Sequence, residues 1–176
     1  KIQNLKIFIK SINYFLNKKN ISIINIKKKK LNFHSRYSAK QRIYKYVIFN
    51  RSSKPSIEKE RGWHVIKKLD LILMKKGAKK LLGVKDFSTF RASSCNANSP
   101  IRTMKLIKIV KTKSKIEIKF KSQSFLQQQV RSMVGCLKYL AEGKWDLKKF
   151  DKVFKSKKRI LCAPPAPSHG LFLEKV

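Results

Sequence analysis

Residues 101–143 read IRTMKLIKIVKTKSKIEIKFKSQSFLQQQVRSMVGCLKYLAEG. Two periodicities meet in this stretch. Branched apolar residues over Ile101 to Val110 and Ile116 to Phe120 predict strands, and the short polar step Thr112 to Lys115 folds them into a hairpin. From about Phe125 the period changes to that of a helix. Leu126, Val130, Met133, Val134, Leu137, Leu140 and Ala141 share one face, and Gly143 closes the run. An antiparallel hairpin feeding an amphipathic helix defines an α+β layer: an antiparallel sheet with helices packed on one face.

Working outward, the same alternation of element types recurs. Asp70 is an N-cap for a helix whose apolar positions are Leu71, Met74, Ala78, Leu81 and Leu82, closed by Gly83. Leu147, Phe150, Val153 and Phe154 predict a short helix, and Leu171 to Val176 a final strand. Upstream, Arg42, Tyr44, Tyr46 and Ile48 alternate with Ile43, Lys45, Val47 and Phe49, a strand with one mixed polar and aromatic face that could meet a ligand. Asn50 to Arg61 reads as a loop. At the start, Leu5, Phe8, Ile9, Ile12, Phe15 and Leu16 form one helix face that needs a packing partner, with Ile21 to Ile26 expected to contribute a strand.

The charge balance points to a partner. With 44 Lys+Arg against 9 Asp+Glu, the net charge is +35 over 176 residues. That excess suits a polyanion whose counterions are released on binding, and nucleic acid comes first. Only eight of the basic residues are arginine, and the Lys, Ile and Asn bias is also what AT-rich coding produces, so runs such as Lys27 to Lys30 read as solvated surface more often than as phosphate clamps. Cys95, Cys136 and Cys162 form no C-x-x-C pair, so neither a zinc site nor a disulfide framework is suggested, and a reducing cytoplasm fits. No apolar run approaches the roughly 18 to 20 residues of a membrane span, and no signal peptide opens the chain. A soluble protein is expected, and Lys1 in place of Met suggests a chain that begins partway through a longer one.

A generic search for chemistry finds no H-E-x-x-H, no glycine-rich nucleotide motif and no G-x-S-x-G. His34, His64 and His169 read as structural or surface residues. Four segments in order are more informative. Phe33-His34-Ser35-Arg36-Tyr37-Ser38-Ala39-Lys40 precedes Arg42-Ile43-Tyr44-Lys45-Tyr46. Gly83 precedes Asp86-Phe87-Ser88-Thr89-Phe90-Arg91-Ala92, with Ser99-Pro100-Ile101-Arg102-Thr103 after it. Ser124-Phe125-Leu126-Gln127-Gln128-Gln129-Val130-Arg131-Ser132-Met133-Val134-Gly135 opens the long helix. Ala163-Pro164-Pro165-Ala166-Pro167 and His169-Gly170-Leu171-Phe172-Leu173 close the chain. Together these resemble the motif set of the tRNA pseudouridine synthase A family, and the resemblance covers essentially the whole chain. The departures are Lys85, Gln127 and Gln128 where the family usually has histidines, and Ser132 where it has Asn.

The resemblance implies an isomerase that converts uridine to pseudouridine in the tRNA anticodon stem-loop without a cofactor or metal. It implies a ferredoxin-like, RRM-like fold of two pseudo-symmetric α/β halves, working as a homodimer on tRNA. Residues 1–52 would be the remainder of the N-terminal half with its connecting strand, and 53–176 the C-terminal half. By the same resemblance Arg131 orients the nucleophilic Asp, Tyr44 stacks on the flipped base, and Gly170 and Leu171 line the pocket. The family's G-R-T-D-x-G-x-H motif, which carries that Asp, is absent from these residues. Asp70 reads as a cap, Asp86 belongs to a structural motif, and Asp146 and Asp151 flank a surface helix. The expectation is a C-terminal fragment, inactive alone. The alternatives are a non-catalytic basic RNA-binding protein, ribosome-associated for example, and a decayed reading frame.

Overall fold

A computed structural model describes residues 4–176, in two compact units divided between Ser38 and Ala39. The first holds helix α1 (Leu5–Leu16), started by Asn4, whose side chain accepts from the Lys6 and Ile7 amides. No residue of α1 is buried, and Tyr14 and Phe15 are exposed. The strand expected over Ile21 to Ile26 does not form. Instead the Asn13 side-chain amide bonds both the N–H and the C=O of Ile23, at 2.8 and 2.9 Å, using groups a strand would have offered to a sheet.

The second unit is a six-stranded sheet with three helices. Strand β1 (Arg42–Asn50) is its hub. On one side it pairs antiparallel with β5 (Lys115–Ser122), which continues into β4 (Ile101–Thr112) and the edge strand β3 (Gly83–Asp86). On the other side two short strands share its edge: β6 (Leu171–Lys175) pairs antiparallel with residues 43–46, and β2 (Trp63–Val65) pairs parallel with residues 48–50. The sheet is therefore antiparallel except at β2. Neither β2 nor β3 is evident from the sequence, being three and four residues long.

The register explains the layering. Tyr46, Ile48, Ile116, Ile118 and Phe120 are fully buried on one face, with Ile109 and Met104 beside them. That face joins the apolar faces of α2 (Leu71–Lys80), α3 (Gln129–Ala141) and α4 (Leu147–Lys155) in one core. Asp70 and Asp146 cap α2 and α4, accepting from Leu73 N at 2.9 Å and Lys149 N at 2.6 Å. Left-handed Gly83 and Gly143 follow α2 and α3. Helices α2 and α3 approach so closely at Gly77 that an added Cβ would lie 2.4 Å from Leu140. Phe87, Thr89 and Phe90, from the D-F-S-T-F-R segment, bind this core to α4: the two rings pack with Phe154, and the Thr89 hydroxyl donates to the carbonyls of Val153 and Phe154. Each such buried ring contributes roughly 1.5–3 kcal/mol.

On the opposite face Lys45, Lys119 and Lys108 lie side by side across β1, β5 and β4. Like charges in one row repel. Glu174 relieves them with a 2.7 Å ion pair to Lys119, which with its hydrogen bond holds that ammonium's pKa above the ordinary lysine value. Val47 and Phe49, on the same side, are buried by the 51–62 loop, where Gly62 leaves no room for a Cβ against either side chain. No helix among the described residues is long and apolar enough to cross a membrane.

Candidate active site

Helix α3 begins four residues later than the apolar pattern suggests. Gln128 adopts a left-handed φ of 61°, and the buried Gln129 side chain accepts from Leu126 N at 2.8 Å, so the chain turns sharply before the helix starts. This places Arg131 in the first turn, between the fully buried Ser132 and the nearly buried Val130, with its own side chain only partly buried. The arm Ala163–Pro167 lies against this turn. Arg131 Nε donates to the Ala166 carbonyl at 2.6 Å, and Ala166 N donates to the Arg131 carbonyl at 3.0 Å. One turn on, Gly135 is required by the same arm: a Cβ there would sit 2.1 Å from the Pro164 carbonyl oxygen.

Strand β1 holds the other end of the arm. The Tyr46 hydroxyl donates to the Pro167 carbonyl at 2.7 Å. Gly170 sits on the Tyr46 ring, where a Cβ would approach within 2.7 Å of Cζ, and Leu171 is the residue opposite Tyr46 in the β1–β6 ladder. Burial pushes the Tyr46 phenol above its ordinary pKa, and the positive charge of Arg131 offsets only part of that shift, so Tyr46 remains a donor. Tyr44 lies one step along the same face, partly buried, with its ring edge-on to Phe125 at 5.2 Å. The fold thus groups Arg131, Gly170 and Leu171 about Tyr46, with Tyr44 and Phe125 next along the strand.

Tyr46 itself is the residue that sequence reasoning did not single out, because its partner Pro167 is 121 positions away. Ser132 accepts from Arg159 at 2.7 Å, so the departure from Asn keeps a polar partner at that position. Gln127 and Gln128 are exposed. The histidines all serve local geometry or the surface: His34 Nδ1 accepts from the Arg36 and Tyr37 amides, His64 bonds the Arg51 carbonyl, and His169 is exposed. No group of three or more His, Cys, Asp or Glu among the described residues is placed to hold a metal ion.

The electrostatics of the site are one-sided. All four aspartates are engaged elsewhere. Asp70 and Asp146 are caps, and Asp151 pairs with Lys80 and Lys155 at 3.5 and 2.8 Å. Asp86 accepts from the Ser88 amide and hydroxyl and meets Lys157 at 3.2 Å. Partial burial works to raise the Asp86 pKa, but the Ser88 hydrogen bonds and Lys157 outweigh it and hold the carboxyl below its usual value. Among the described residues no carboxylate pairs with Arg131. A guanidinium fork held through Nε to a carbonyl has the chemistry to donate to an anionic group through its terminal N–H groups.

The sequence that builds this α+β sheet is similar to known proteins. Residues 78–176 match the family model described as tRNA pseudouridine synthase. The tRNA pseudouridine synthase A of Pelagibacter ubique (strain HTCC1062) is 75% identical over 99% of this chain and 71% of its own length. That of Paramagnetospirillum magneticum is 39% identical over 94% of the chain and 65% of its own, and that of Caulobacter vibrioides 35% over 93% and 66%. The chain belongs to the tRNA pseudouridine synthase family. It spans about two thirds of the length of these relatives.

Proposed function

We propose that this chain supplies the arginine half of a tRNA pseudouridine synthase active site, and that the nucleophilic Asp comes from polypeptide outside these 176 residues. The observation that carries this is Arg131: a partly buried cation held in place by Ala166, with every aspartate of the chain committed elsewhere. A carboxylate reaching its free N–H groups would form a bidentate pair and stay ionised in a desolvated cleft. In the reaction the N1–C1′ bond of uridine breaks, the base turns, and a C5–C1′ bond forms. The C5 proton leaves and N1 gains one, so the atoms balance without a cofactor. The target base must leave its stack to be reached. Tyr44, beside Phe125, offers it an aromatic wall, while Gly170 and Leu171 line the floor formed over Tyr46.

On this reading the substrate is the anticodon stem-loop of tRNA, the whole enzyme is a cytoplasmic homodimer, and residues 1–52 are the remainder of one half with the connecting strand β1, which serves as hub of the sheet that 53–176 completes as the C-terminal half. The lysine-rich surface binds phosphates without reading sequence. The rival reading, a non-catalytic RNA-binding protein, accounts for the charge but gives Arg131 no task. The experiment compares the chain alone with a chimera in which it replaces the matching part of the P. ubique enzyme. The chain alone is expected to bind tRNA with strong salt dependence and form no pseudouridine, while the chimera turns over. Turnover by the chain alone would refute the external Asp, and an inactive but folded, tRNA-binding chimera would favour the rival.

A further inference from the structure

Cys136 and Cys162 are 26 positions apart, yet the fold brings their sulfurs to 3.4 Å with both thiols free. Cys136 is buried on α3, one residue after the Gly135 that seats the arm. Cys162 is half-buried at the root of the arm, immediately before Ala163. We propose that the two form a reversible disulfide by exchange with a low-molecular-weight disulfide, covalently fastening the root of the Ala163–Pro167 arm to α3. The proposal does not depend on the catalytic reading.

The surroundings give the pair an order of reaction. Arg159 reaches Cys162 Sγ at 3.5 Å and is anchored by the Ser132 hydroxyl, one helical turn before Cys136. Hydrogen bonding from Cys136 lowers the Cys162 pKa, burial opposes this, and the Arg159 charge adds to the lowering. The Cys136 thiol is raised by that same bond and by burial. Cys162, the more exposed sulfur and the one Arg159 reaches, is therefore the attacking sulfur and the buried Cys136 the resolving one. The Cys162 thiolate attacks one sulfur of the external disulfide, whose S–S bond breaks and releases a thiolate that is protonated from solvent. Cys136 then loses its proton and attacks Cys162 Sγ, expelling the second thiol. Two S–H groups become one S–S bond of about 2.05 Å, and the external disulfide is reduced to two thiols. The sulfurs close from 3.4 Å to that length. Cys95 is the internal control for a single thiol: burial works to raise its pKa, but backbone hydrogen bonds and Arg91 outweigh it and lower it.

The test incubates the folded 176-residue chain with mixtures of oxidised and reduced glutathione, quenches in acid, alkylates free thiols and maps peptides without reduction. The expected product is an intact chain lighter by two hydrogens, with Cys136 linked to Cys162, Cys95 alkylated, and full reversal by excess reduced glutathione. Accumulation of glutathione on Cys162 in the native chain, links only between molecules, or oxidation confined to Cys95 would overturn the proposal. The Cys136→Ser variant should stall with glutathione on Cys162. Cys95→Ser should oxidise like the native chain, which keeps the test decisive if Cys136→Ser fails to fold. Arg159→Gln should slow the first exchange about three- to tenfold, and an unchanged rate would remove Arg159 from the account.

Discussion

The two ends of α3 handle charge in opposite ways. At its C-terminal end Glu142 is nearly buried and bracketed by Lys138 at 2.6 Å and Lys144 at 3.7 Å, with Trp63 and Tyr139 packed under the Lys138 ammonium. At its N-terminal end Arg131 is partly buried with a carbonyl in place of a carboxylate. The first arrangement pairs its charge within the chain, although Glu142 Oε2 meets Lys144 only as an ion pair and accepts no hydrogen bond. The second leaves donors with no anion, a position that natural folds keep where a ligand or a second segment will arrive. On the proposed reading the helix has a structural end and a functional end, about three turns apart.

Exchanging the ends' properties by mutation would break that contrast. In the chimera, Arg131→Met should reduce pseudouridine formation by about 10³-fold, in line with losing one preorganised charge partner, while melting of the chain changes little. Arg131→Lys should recover only part of the activity, because an ammonium lacks the planar fork. A large stability loss in Arg131→Met would make this end structural as well. Next, Gly135→Ala forces a methyl against the Pro164 carbonyl and should cost about 2–3 kcal/mol, read by chemical denaturation, together with loss of the arm's amide protection in hydrogen exchange. Glu142→Gln at the other end should cost about 1–2 kcal/mol of stability and leave chimera turnover intact; a turnover defect without a stability change would erase the distinction.

The smallest effect concerns Asp86, whose lowered pKa comes despite partial burial and from Ser88 and Lys157. A group depressed on folding stabilises above its unfolded pKa of about 3.9, and that contribution is lost as pH falls through the folded value. Asp86→Asn should therefore lower stability at pH 7 by under about 1 kcal/mol, since the ion pair is well exposed. It should also flatten acid unfolding below about pH 4 relative to the native chain. Identical acid profiles would mean that Ser88 and Lys157 do no thermodynamic work.

Much of this architecture was legible in residue order, and the exceptions have physical causes. The cores of α2 and α3, the β4–β5 hairpin and β6 announce themselves because a local period and a cap coincide, as with Asp70 and Gly83 around Leu71 to Leu82. Strands β2 and β3 did not, because Trp63–Val65 and Gly83–Asp86 owe their conformation to hydrogen bonds with β1 and β4 and carry no period of their own. The apolar face of α1 was read correctly as a helix, but periodicity alone says nothing about burial, and within Ile21 to Ile26 the N–H and C=O of Ile23 bond Asn13. The start of α3 was placed too early because Leu126 continues the apolar pattern while Gln128 breaks the backbone path. At the site, Arg131, Tyr44, Gly170 and Leu171 were named from motifs. The Tyr46–Pro167 bond and the Cys136–Cys162 pair were not readable, since each joins residues distant in sequence.

The central claim is that Arg131 and an Asp from outside these residues act as one unit. A double-mutant cycle in the chimera tests it directly, replacing that Asp by Asn, Arg131 by Met, and both together. The account predicts that the double variant is no slower than the Asp variant alone, because the arginine has no task once its carboxylate is gone. Losses that simply multiply would show that Arg131 acts independently, and would contradict the pairing on which this reading rests.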